Sequence, residues 1–421
     1  MPTSLASWLT YLESLHPNTI ALGLERVGQV KQRLNLQPYF PVIIVGGTNG
    51  KGSVCAMMEA MLHAAGYKVG CYTSPHLLDY NERVRIAKQE ASDAELCASF
   101  EQIEQVRGDI ALTYFEFGTL AAMQCFIEHK VDVAILEVGL GGRLDAVNVF
   151  EADVAVVTSV DIDHVDYLGA TREKIAFEKA GIFRQGRVAI CADSDVPQAL
   201  RQHAQEIGAE LCCIGSEFGF AQHQGQWDYR SKIGSRSALP YPALRGAFQL
   251  NNASAVLAAL DALKDKLPVS MEAVRRGLVE VELAGRFQFI PGKPQLILDV
   301  AHNPHAARSL AQNLGNLPPA KTFAVFAMLK DKDVAGVVQA LDTRIDEWLV
   351  AGIDAQRGAT AAELAQVLRD NRVGGAVRVC DSIADALQQA CNRASENDRI
   401  AAFGSFYTVA EVMRARGLRG G

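Results

Sequence analysis

Short apolar runs alternate with amphipathic stretches along most of the chain. The runs 42–46, 131–138 and 153–160 are rich in β-branched residues, and the stretches between them carry apolar residues at helical spacing. This alternation predicts an α/β fold with parallel sheets, because neighbouring parallel strands need a helical crossover. Weaker strands are expected at 68–73, 187–191 and 210–214, and helices at 54–65, 92–106, 117–129, 249–264 and 270–282.

The alternation breaks once and then restarts. Residues 217–245 contain short alternating segments and nearby prolines, which predict a small antiparallel hairpin. Segment 284–294 has two glycines and two prolines and reads as a linker. A strand-helix pattern resumes at Gln295 and predicts a five-stranded α/β unit. We therefore expect a larger domain at 1–285, a hinge at 286–294 and a smaller domain at 295–421.

The stretch from Val42 to Ser53, VIIVGGTNGKGS, has the layout of a phosphate-binding loop. A strand ends in glycines, a lysine and a hydroxyl follow, and a helix begins. Glycines let the backbone approach a phosphate, and the start of a helix favours an anion. The spacing is one residue shorter than in the common motif, so a simple connecting turn is the alternative reading. The expected phosphate ligands are Thr48, Asn49, Gly50, Lys51, Gly52 and Ser53.

Polar side chains follow three of the predicted strands. Ser74 lies in YTSPHL, Glu137 begins the glycine-rich EVGLGGRLDAVN, and His164 lies among aspartates in SVDIDHVDYLG. Open α/β sheets bind ligands at the carboxyl ends of their strands, so these groups are candidates for magnesium or phosphate. We expect Ser74 to reach the phosphate loop if strand 68–73 neighbours strand 42–46. A plain Ser-Pro turn, a solvated carboxylate and a structural histidine are the alternatives.

Three other segments indicate a function less specifically when only their residues are considered. TYFEFGT at 113–119 could stack on a flat heterocycle, although core packing is the stronger reading. Asp299 and His302 open the second domain, and with Arg286 they could reach a nucleotide across a cleft between domains. Lys179, in AFEKAGIF, reads as a surface lysine that buries only its stem.

Bulk composition excludes several classes of protein. With 49% apolar residues, 21% charged residues and a net charge of −7, the chain is typical of soluble globular proteins and suggests no nucleic-acid partner. No apolar run is long enough for a membrane span, and the N-terminus does not read as a signal peptide. The nine cysteines lack metal-site spacing and indicate reduced, mostly buried thiols in a cytoplasmic protein.

The order of these motifs resembles the Mur ligase superfamily. GTNGKGS, YTSPHL, EVGLGGRLDA, DHVDYLG, FEKAGI and DVAHNP occur in sequence, and YTSPHL with EVGLGGRLDA is specific for the dihydrofolate synthase/folylpolyglutamate synthase family. The resemblance runs from about residue 20 to the GSFYTVAEV segment at 404–412. Two positions depart from it: Tyr407 stands where many relatives have His, and Val147 gives DAVN instead of the commoner DATN.

The resemblance implies a fold and residue roles. It implies a P-loop ATPase domain of the Mur ligase central type, binding ATP and pteroate, and a smaller Rossmann-like glutamate-ligase domain. It makes Lys51, Lys179, His164 and Glu137 catalytic, with Lys179 carboxylated by CO2 to N6-carboxylysine. Two magnesium ions would be held by Ser74, Glu137 and His164, and ATP would also contact Asn252, Arg286 and Asp299, with His302 close by. Pteroate would be bound by Thr113, Tyr114, Phe115, Glu116, Leu144, Asp145 and Ala146.

The implied reaction is ATP-dependent addition of L-glutamate to 7,8-dihydropteroate and to reduced folates, through an acyl phosphate, by a monomeric enzyme. One alternative is another Mur-type amino-acid ligase, for example one that acts on peptidoglycan precursors. A nucleotide-dependent switch or binding protein is the alternative from a different class. It has no obvious use for Lys179, His164 and the DVAHN segment together.

Overall fold

A computed structural model describes residues 2–16 and 20–418. The chain forms two compact units. The first comprises Met1–His76, Tyr80–Ala243 and Leu250–Val281, and the second comprises Leu77–Asp79, Leu244–Gln249 and Glu282–Gly421. Two short segments that precede Glu282 in the sequence therefore belong to the second unit. The roles of the two expected domains stay predictions.

The first unit is built on an eight-stranded sheet. Its central strands are buried along their whole length and pair in parallel, as expected for a sheet covered by helices on both faces. The predicted parallel α/β fold is confirmed. Across the sheet the strands run Gln89–Glu90, Val84–Ile86, Val69–Tyr72, Val133–Glu137, Val42–Gly46, Val154–Val157, Val188–Cys191 and Glu210–Cys213.

Side-chain caps mark where several helices of this unit begin, which the apolar pattern alone does not show. The helix predicted at 117–129 begins at Tyr114, because Thr113 and Glu116 form a capping box in its first turn. A similar box between Ser92 and Glu95 starts the preceding helix. The α-helices are Leu5–Ser14, Glu25–Arg33, Lys51–Ala64, Asp93–Arg107, Tyr114–Glu128, Val165–Leu168, Arg172–Ala180, Gln198–Ile207, Gln249–Ala262 and Met271–Glu280, and Tyr80–Arg83 and Ala146–Val149 are 3₁₀ turns.

The predicted hairpin at 217–245 is a three-stranded antiparallel sheet. Its strands are Phe218–His223, Gln226–Ser231 and Ser235–Leu239. Asp261 holds it to the helix Gln249–Ala262 by accepting a hydrogen bond from the Tyr229 hydroxyl at 3.0 Å. The third strand alternates poorly in sequence, and its antiparallel pairing with Gln226–Ser231 identifies it.

The segment predicted as a linker, 286–294, contains a strand, and its role as a hinge stays a prediction. Gln288–Ile290 pairs antiparallel with Gln295–Leu298 and forms the edge of a six-stranded sheet. Pro291, Gly292 and Pro294 form the turn after this strand, whereas Phe287 and Phe289 pack their rings together, with centroids 5.3 Å apart. Apolar alternation outweighs the turn residues here.

The remaining elements of the second unit follow the predicted alternation closely. The core lies on both faces of the sheet, with Trp348 and Phe403 buried among its largest side chains. The other strands are Thr322–Phe326, Glu347–Val350, Ala376–Val379 and Arg399–Phe403, and the α-helices are Pro304–Gly315, Val334–Leu341, Ala361–Asp370, Ile383–Arg393 and Phe406–Ala415, with a 3₁₀ turn at Asp342–Arg344.

Two predictions from composition can be compared with the fold. All nine cysteines are free thiols, and most are buried, as expected. Across the described ranges, none of the helices has the length and apolarity that crossing a membrane requires.

Candidate functional site

The loop between Val42–Gly46 and Lys51–Ala64 needs glycine for two independent reasons. Gly47 and Gly50 have φ angles of +143° and +88°, which L side chains rarely adopt. A Cβ on Gly47 would also lie 1.9 Å from Thr158 Oγ1, and one on Gly50 would lie 2.8 Å from Asn252 Oδ1. The loop is therefore packed closely on both neighbours, and Asn252 lies directly beside it.

The loop is fastened to the segment that follows strand Val154–Val157. Thr48 N donates to Ser159 O at 2.7 Å, and Thr158 Oγ1 donates to Asn49 O at 2.6 Å. Asp161 N donates to Thr48 Oγ1 at 3.0 Å. Thr158 and Ser159 could not be assigned a role from the sequence, because two hydroxyl residues after a strand carry no distinctive pattern. The structure shows that they hold the loop in place.

Lys51 folds back over the loop at the start of its helix. Its Nζ donates to Gly47 O at 3.0 Å and to Thr48 O at 3.2 Å. The helix has Gly50 as its N-cap, and no side chain caps it. A cation and a helix start thus occupy the same concave turn, an arrangement that favours an anionic group.

Ser74 and Glu137 meet, although not by the predicted strand order. Strand Val69–Tyr72 pairs with Val133–Glu137, which separates it from Val42–Gly46. The condition that these two strands are neighbours is not met, because a later strand inserts between them. Ser74 N nevertheless donates to Glu137 Oε2 at 3.1 Å, and the Glu137 residue is only 4% exposed.

His164 adopts a left-handed conformation with φ of +52°, unusual for a residue other than glycine. Its backbone N donates to Asp163 Oδ1 at 2.8 Å, and its Nε2 lies 3.8 Å from Asp163 Oδ2. Within the described residues, no three His, Cys, Asp or Glu side chains converge as a metal site. The expected ligand set contains only one His and one Glu, so it does not require such a cluster.

Lys179 differs most from its reading as a surface lysine. It is buried on helix Arg172–Ala180, with 4% of the residue exposed. Burial lowers the pKa of its amine to about 7, and the positive charge of Lys51 adds to the decrease, against the opposing effect of Asp163 and Asp145. A large fraction of this amine is therefore neutral near pH 7, and the charge of Lys51 is close enough to act on it.

The segment 113–116 is engaged in local structure. Glu116 Oε2 accepts a hydrogen bond from Thr113 N at 2.7 Å, and Thr113 Oγ1 accepts one from Glu116 N at 3.2 Å. Arg26 also forms an ion pair with Glu116 at 3.0 Å. Tyr114 and Phe115 are only partly buried at the start of the helix. Of these residues, the two aromatic ones are the better placed to meet a ligand.

The loop that follows Glu137 is held by its own aspartate. Asp145 accepts hydrogen bonds from Leu140 N at 2.8 Å and Val147 N at 3.0 Å. Burial raises the pKa of Asp145 to about 7, despite these bonds and the charge of Lys51. Asp145 therefore shapes the loop that carries Leu144 and Ala146.

A segment near the N-terminus, which the sequence analysis did not identify, also borders the predicted pteroate site. Gly23 N donates to Leu144 O at 3.1 Å, and Arg26 Nη2 donates to Ala21 O at 2.7 Å. The segment 20–24 thus lies against both of the segments expected to bind pteroate, because Arg26 also contacts Glu116. It is short and lacks periodicity, so it gave no signal in sequence.

In the second unit, Asp299 holds the backbone around the other two expected nucleotide contacts. Its carboxylate accepts hydrogen bonds from Phe287 N at 2.9 Å and Ala301 N at 2.8 Å. Burial raises the pKa of Asp299 to about 6, and the charge of Arg286 opposes this. The Arg286 guanidinium lies 5.1 Å from the Phe406 ring centroid, and the His302 ring lies 6.2 Å from it.

Two family models match most of the chain. The Mur ligase middle domain matches residues 45–260, and the Mur ligase, glutamate ligase domain matches residues 285–406. A curated relative from Escherichia coli, named dihydrofolate synthase/folylpolyglutamate synthase, is 47% identical and covers 97% of this chain and 94% of its own length.

Solved structures agree with these matches. E. coli FolC in complex with DHPP and ADP has a TM-score of 0.94 at 45% identity, covering 99% of each chain. A bifunctional folylpolyglutamate synthase/dihydrofolate synthase with Mn, AMPPNP and L-glutamate bound has a TM-score of 0.92 at 48% identity, covering 99% of this chain and 98% of its own.

Proposed function

Because this chain belongs to the dihydrofolate synthase/folylpolyglutamate synthase family of Mur ligases, we propose that it uses ATP to join L-glutamate to 7,8-dihydropteroate and to reduced folates. The structures of two relatives contain ADP with DHPP, and AMPPNP with Mn and L-glutamate. A carboxylate is a poor electrophile, so ATP first transfers its γ-phosphoryl group to it. The glutamate amine then attacks the acyl phosphate, the amide bond forms, and inorganic phosphate leaves.

The observation that carries the proposal is the pairing of a phosphate loop with a buried, partly neutral lysine. Lys51 lies over the loop backbone, and its charge contributes to the lowered pKa of Lys179. A nucleotide switch has no evident use for a second buried lysine in this position. A ligase has one, because an anion derived from Lys179 adds negative charge beside a metal-bound nucleotide.

The loop residues supply the charge stabilisation for phosphoryl transfer. The transferring group is highly anionic, so catalysis rests on positioning and neutralisation. Lys51 binds the outer phosphates after it leaves the carbonyls of Gly47 and Thr48. Thr158 and Ser159 keep the loop in shape, and Asn252 contacts the nucleotide from the face of Gly50.

Magnesium suits the groups gathered at the strand ends. Glu137 is a buried carboxylate beside Ser74, and hard divalent cations prefer oxygen ligands. Glu137, Ser74 and His164 would hold two ions, with nucleotide oxygens and water completing the ligands. When bound, the metal neutralises phosphate charge as the γ-phosphoryl group moves.

Lys179 is suited to react with CO2. Its neutral amine nitrogen attacks the carbon of CO2, a C–N bond forms, and one proton is released to water. The product is a carbamate anion, which would add a negative charge at Lys179. An ordinary lysine would be almost fully protonated at neutral pH and therefore unreactive, whereas burial brings the pKa of Lys179 to about 7.

The acceptor contacts are assigned by what remains accessible. Tyr114 and Phe115 provide aromatic faces, while Thr113, Glu116 and Asp145 hold the backbone on which the site is built. Leu144 and the buried Ala146, like Thr113, Glu116 and Asp145, stay predicted pteroate contacts. In the second unit, Arg286 and Asp299 stay predicted nucleotide contacts, with His302 close by, and Asp299 holds the backbone at Phe287 and Ala301. A monomeric state and a cytoplasmic location stay predictions.

Oxygen tracing tests the reaction directly. Dihydropteroate with an ¹⁸O-labelled carboxylate should pass one labelled oxygen to inorganic phosphate for every amide formed. Phosphate release should need both the acceptor and L-glutamate. The variant Lys51→Ala should lose nearly all ligation, because it lacks the charge over the phosphate loop.

A release of phosphate with no label would exclude the acyl phosphate. Release without any acceptor would favour a nucleotide switch. Activity on peptidoglycan precursors and none on dihydropteroate would favour the other Mur-type ligases. Near-native ligation by Lys51→Ala would exclude its assigned role.

A further inference from the structure

Arg83 occupies an unusual environment in the first unit, at the end of the short turn Tyr80–Arg83. Its Nε donates to His76 Nδ1 at 2.8 Å. Its guanidinium carbon lies 5.3 Å from the ring centroid of Tyr80 and 5.5 Å from that of Tyr114. An imidazole and two aromatic faces therefore orient this cation without neutralising it.

Arg83 has no acidic partner among the described residues, and its two terminal nitrogens donate no hydrogen bond to them. Comparable partly buried arginines of the same unit all have one: Arg26 pairs with Glu116, Arg85 with Glu59, and Arg107 with Glu104. The planar guanidinium of Arg83 thus has its bidentate edge available. That edge matches a carboxylate in shape and charge.

The rings of Tyr80 and Tyr114, over which Arg83 lies, are tightly packed. A Cβ on Gly118 would lie 2.5 Å from the Tyr80 hydroxyl and 3.0 Å from the Tyr72 hydroxyl. Tyr80 and Tyr114 pack edge to face, with centroids 5.7 Å apart. Tyr114 begins the helix Tyr114–Glu128, and Tyr80 packs against Gly118 of the same helix, so the rings that orient the guanidinium are held in place before any ligand arrives.

Arg83 also links the two parts of the site that the acceptor must touch. Thr73 N donates to Arg83 O at 2.9 Å, one residue before Ser74. On its other side, the guanidinium lies over Tyr114, which is assigned to the acceptor. An anion bound by Arg83 would thus belong to the acceptor and lie near the metal segment.

We propose that Arg83 binds the non-reacting α-carboxylate of the glutamyl residue on a folate acceptor. This inference rests on the proposed ligase function. The reacting carboxylate must keep its electron density to attack phosphorus, so a bidentate guanidinium on it would oppose the step. The α-carboxylate of a folate undergoes no reaction, and dihydropteroate has no such group. Arg83 is therefore a specificity residue for folate acceptors.

The test compares two acceptors in one variant. Arg83→Gln should raise KM for a reduced folate so that kcat/KM falls by about 10- to 100-fold, as expected for loss of a charge-assisted hydrogen-bonded pair. With dihydropteroate, kcat/KM should change by less than about threefold. Arg83→Lys keeps the charge but cannot form two parallel hydrogen bonds to a carboxylate, so its kcat/KM for the reduced folate should be intermediate.

A matched control is Arg276→Gln, because Arg276 is exposed and pairs only with Glu280 on its own helix. Both activities should be unchanged in this variant. A second measurement needs no variant at all: an acceptor with an amidated α-carboxylate should be a poorer substrate for the native protein by the same factor. That penalty should vanish in Arg83→Gln.

Equal losses with both acceptors, or no loss with either, would overturn the inference, as would a native protein indifferent to α-amidation. A native protein that ligates dihydropteroate but no reduced folate would also overturn it, and would leave dihydrofolate synthesis intact. A native protein that ligates neither acceptor would overturn the proposed function itself.

Discussion

For Lys179, the role suggested by its sequence neighbours differs from the role indicated by its environment in the fold. The segment AFEKAGIF gives a lysine on an ordinary helix, and its apolar neighbours suggest only a buried stem. In the fold the whole side chain is buried, and Lys51 contributes a like charge. Family resemblance identified the position, but only the burial supplies the physical reason for its reactivity.

The first prediction concerns CO2 uptake by Lys179. Its pKa is lowered to about 7, so the neutral fraction of the amine rises as pH increases through that value. Protein equilibrated with ¹³C-bicarbonate should show a carbamate NMR signal at about pH 8 that weakens strongly at about pH 6. Ligation in the bicarbonate-equilibrated buffer should follow the same trend, and removing CO2 should lower it.

Two variants separate this site from surface lysines. Lys179→Ala should lose the carbamate signal and most ligation, with partial recovery of ligation on adding a short carboxylate. Lys174→Ala, on the exposed face of the same helix, should retain both. A signal that survives in Lys179→Ala would assign the carbamate elsewhere.

For Glu116 and Asp145 the fold indicates a structural role where the sequence suggested contact with a ligand, the reverse of the case of Lys179. The resemblance places both at the pteroate site, yet each spends its carboxylate on backbone amides nearby. A sequence motif records that a residue belongs to a site without saying whether it touches the ligand. The hydrogen-bond partners distinguish the two roles.

At the scale of elements, the phosphate loop was the most predictable feature. Its strand, glycines and helix follow from local sequence, because backbone freedom and helix capping act over a few residues. Its support was not predictable, because Thr158 and Asn252 are distant in sequence. The edge strand Gln288–Ile290 was missed for a related reason, since pairing with Gln295–Leu298 decides its conformation.

The second prediction separates backbone strain from close packing in this loop. Gly47→Ala should lower the free energy of unfolding by about 2 kcal/mol or more, since the new Cβ would meet both an unfavourable φ and Thr158. Ligation should fall with it, because the loop must move. Urea unfolding and steady-state kinetics measure the two effects.

Gly66→Ala provides the comparison, because Gly66 has a φ of +94° and nothing within 4 Å of its Cβ position. This variant should cost only about 1 kcal/mol of unfolding free energy and leave kcat/KM for ATP unchanged. Equal costs for the two variants would mean that contact with Thr158 adds nothing.

At the scale of the whole molecule, each unit has its own sheet and its own buried side chains. Trp8 and Trp227 are buried in the first unit, and Trp348 is buried in the second. Units with separate cores need not unfold together. The chain's three tryptophans therefore make the two cores separately observable.

The third prediction is that unfolding has two transitions. A variant with Trp8→Phe and Trp227→Phe should report the second unit by fluorescence, and Trp348→Phe should report the first. Their urea midpoints should differ, because the cores are distinct. AMPPNP with magnesium should raise the midpoint reported for the first unit, which carries the phosphate loop. Coincident midpoints in both variants, with and without nucleotide, would show a single cooperative unit.

The sequence by itself determined the alternating α/β architecture, the phosphate loop and the family, because periodicity, turn residues and motif order are local properties of the chain. Tertiary structure alone decided that Ser74 meets Glu137 at the end of an inserted strand and that Lys179 is buried. It also decided that Arg83 lies over two aromatic rings with no acidic partner among the described residues. These features depend on strand order and on burial. Both arise from contacts between residues far apart in sequence, which no local pattern encodes.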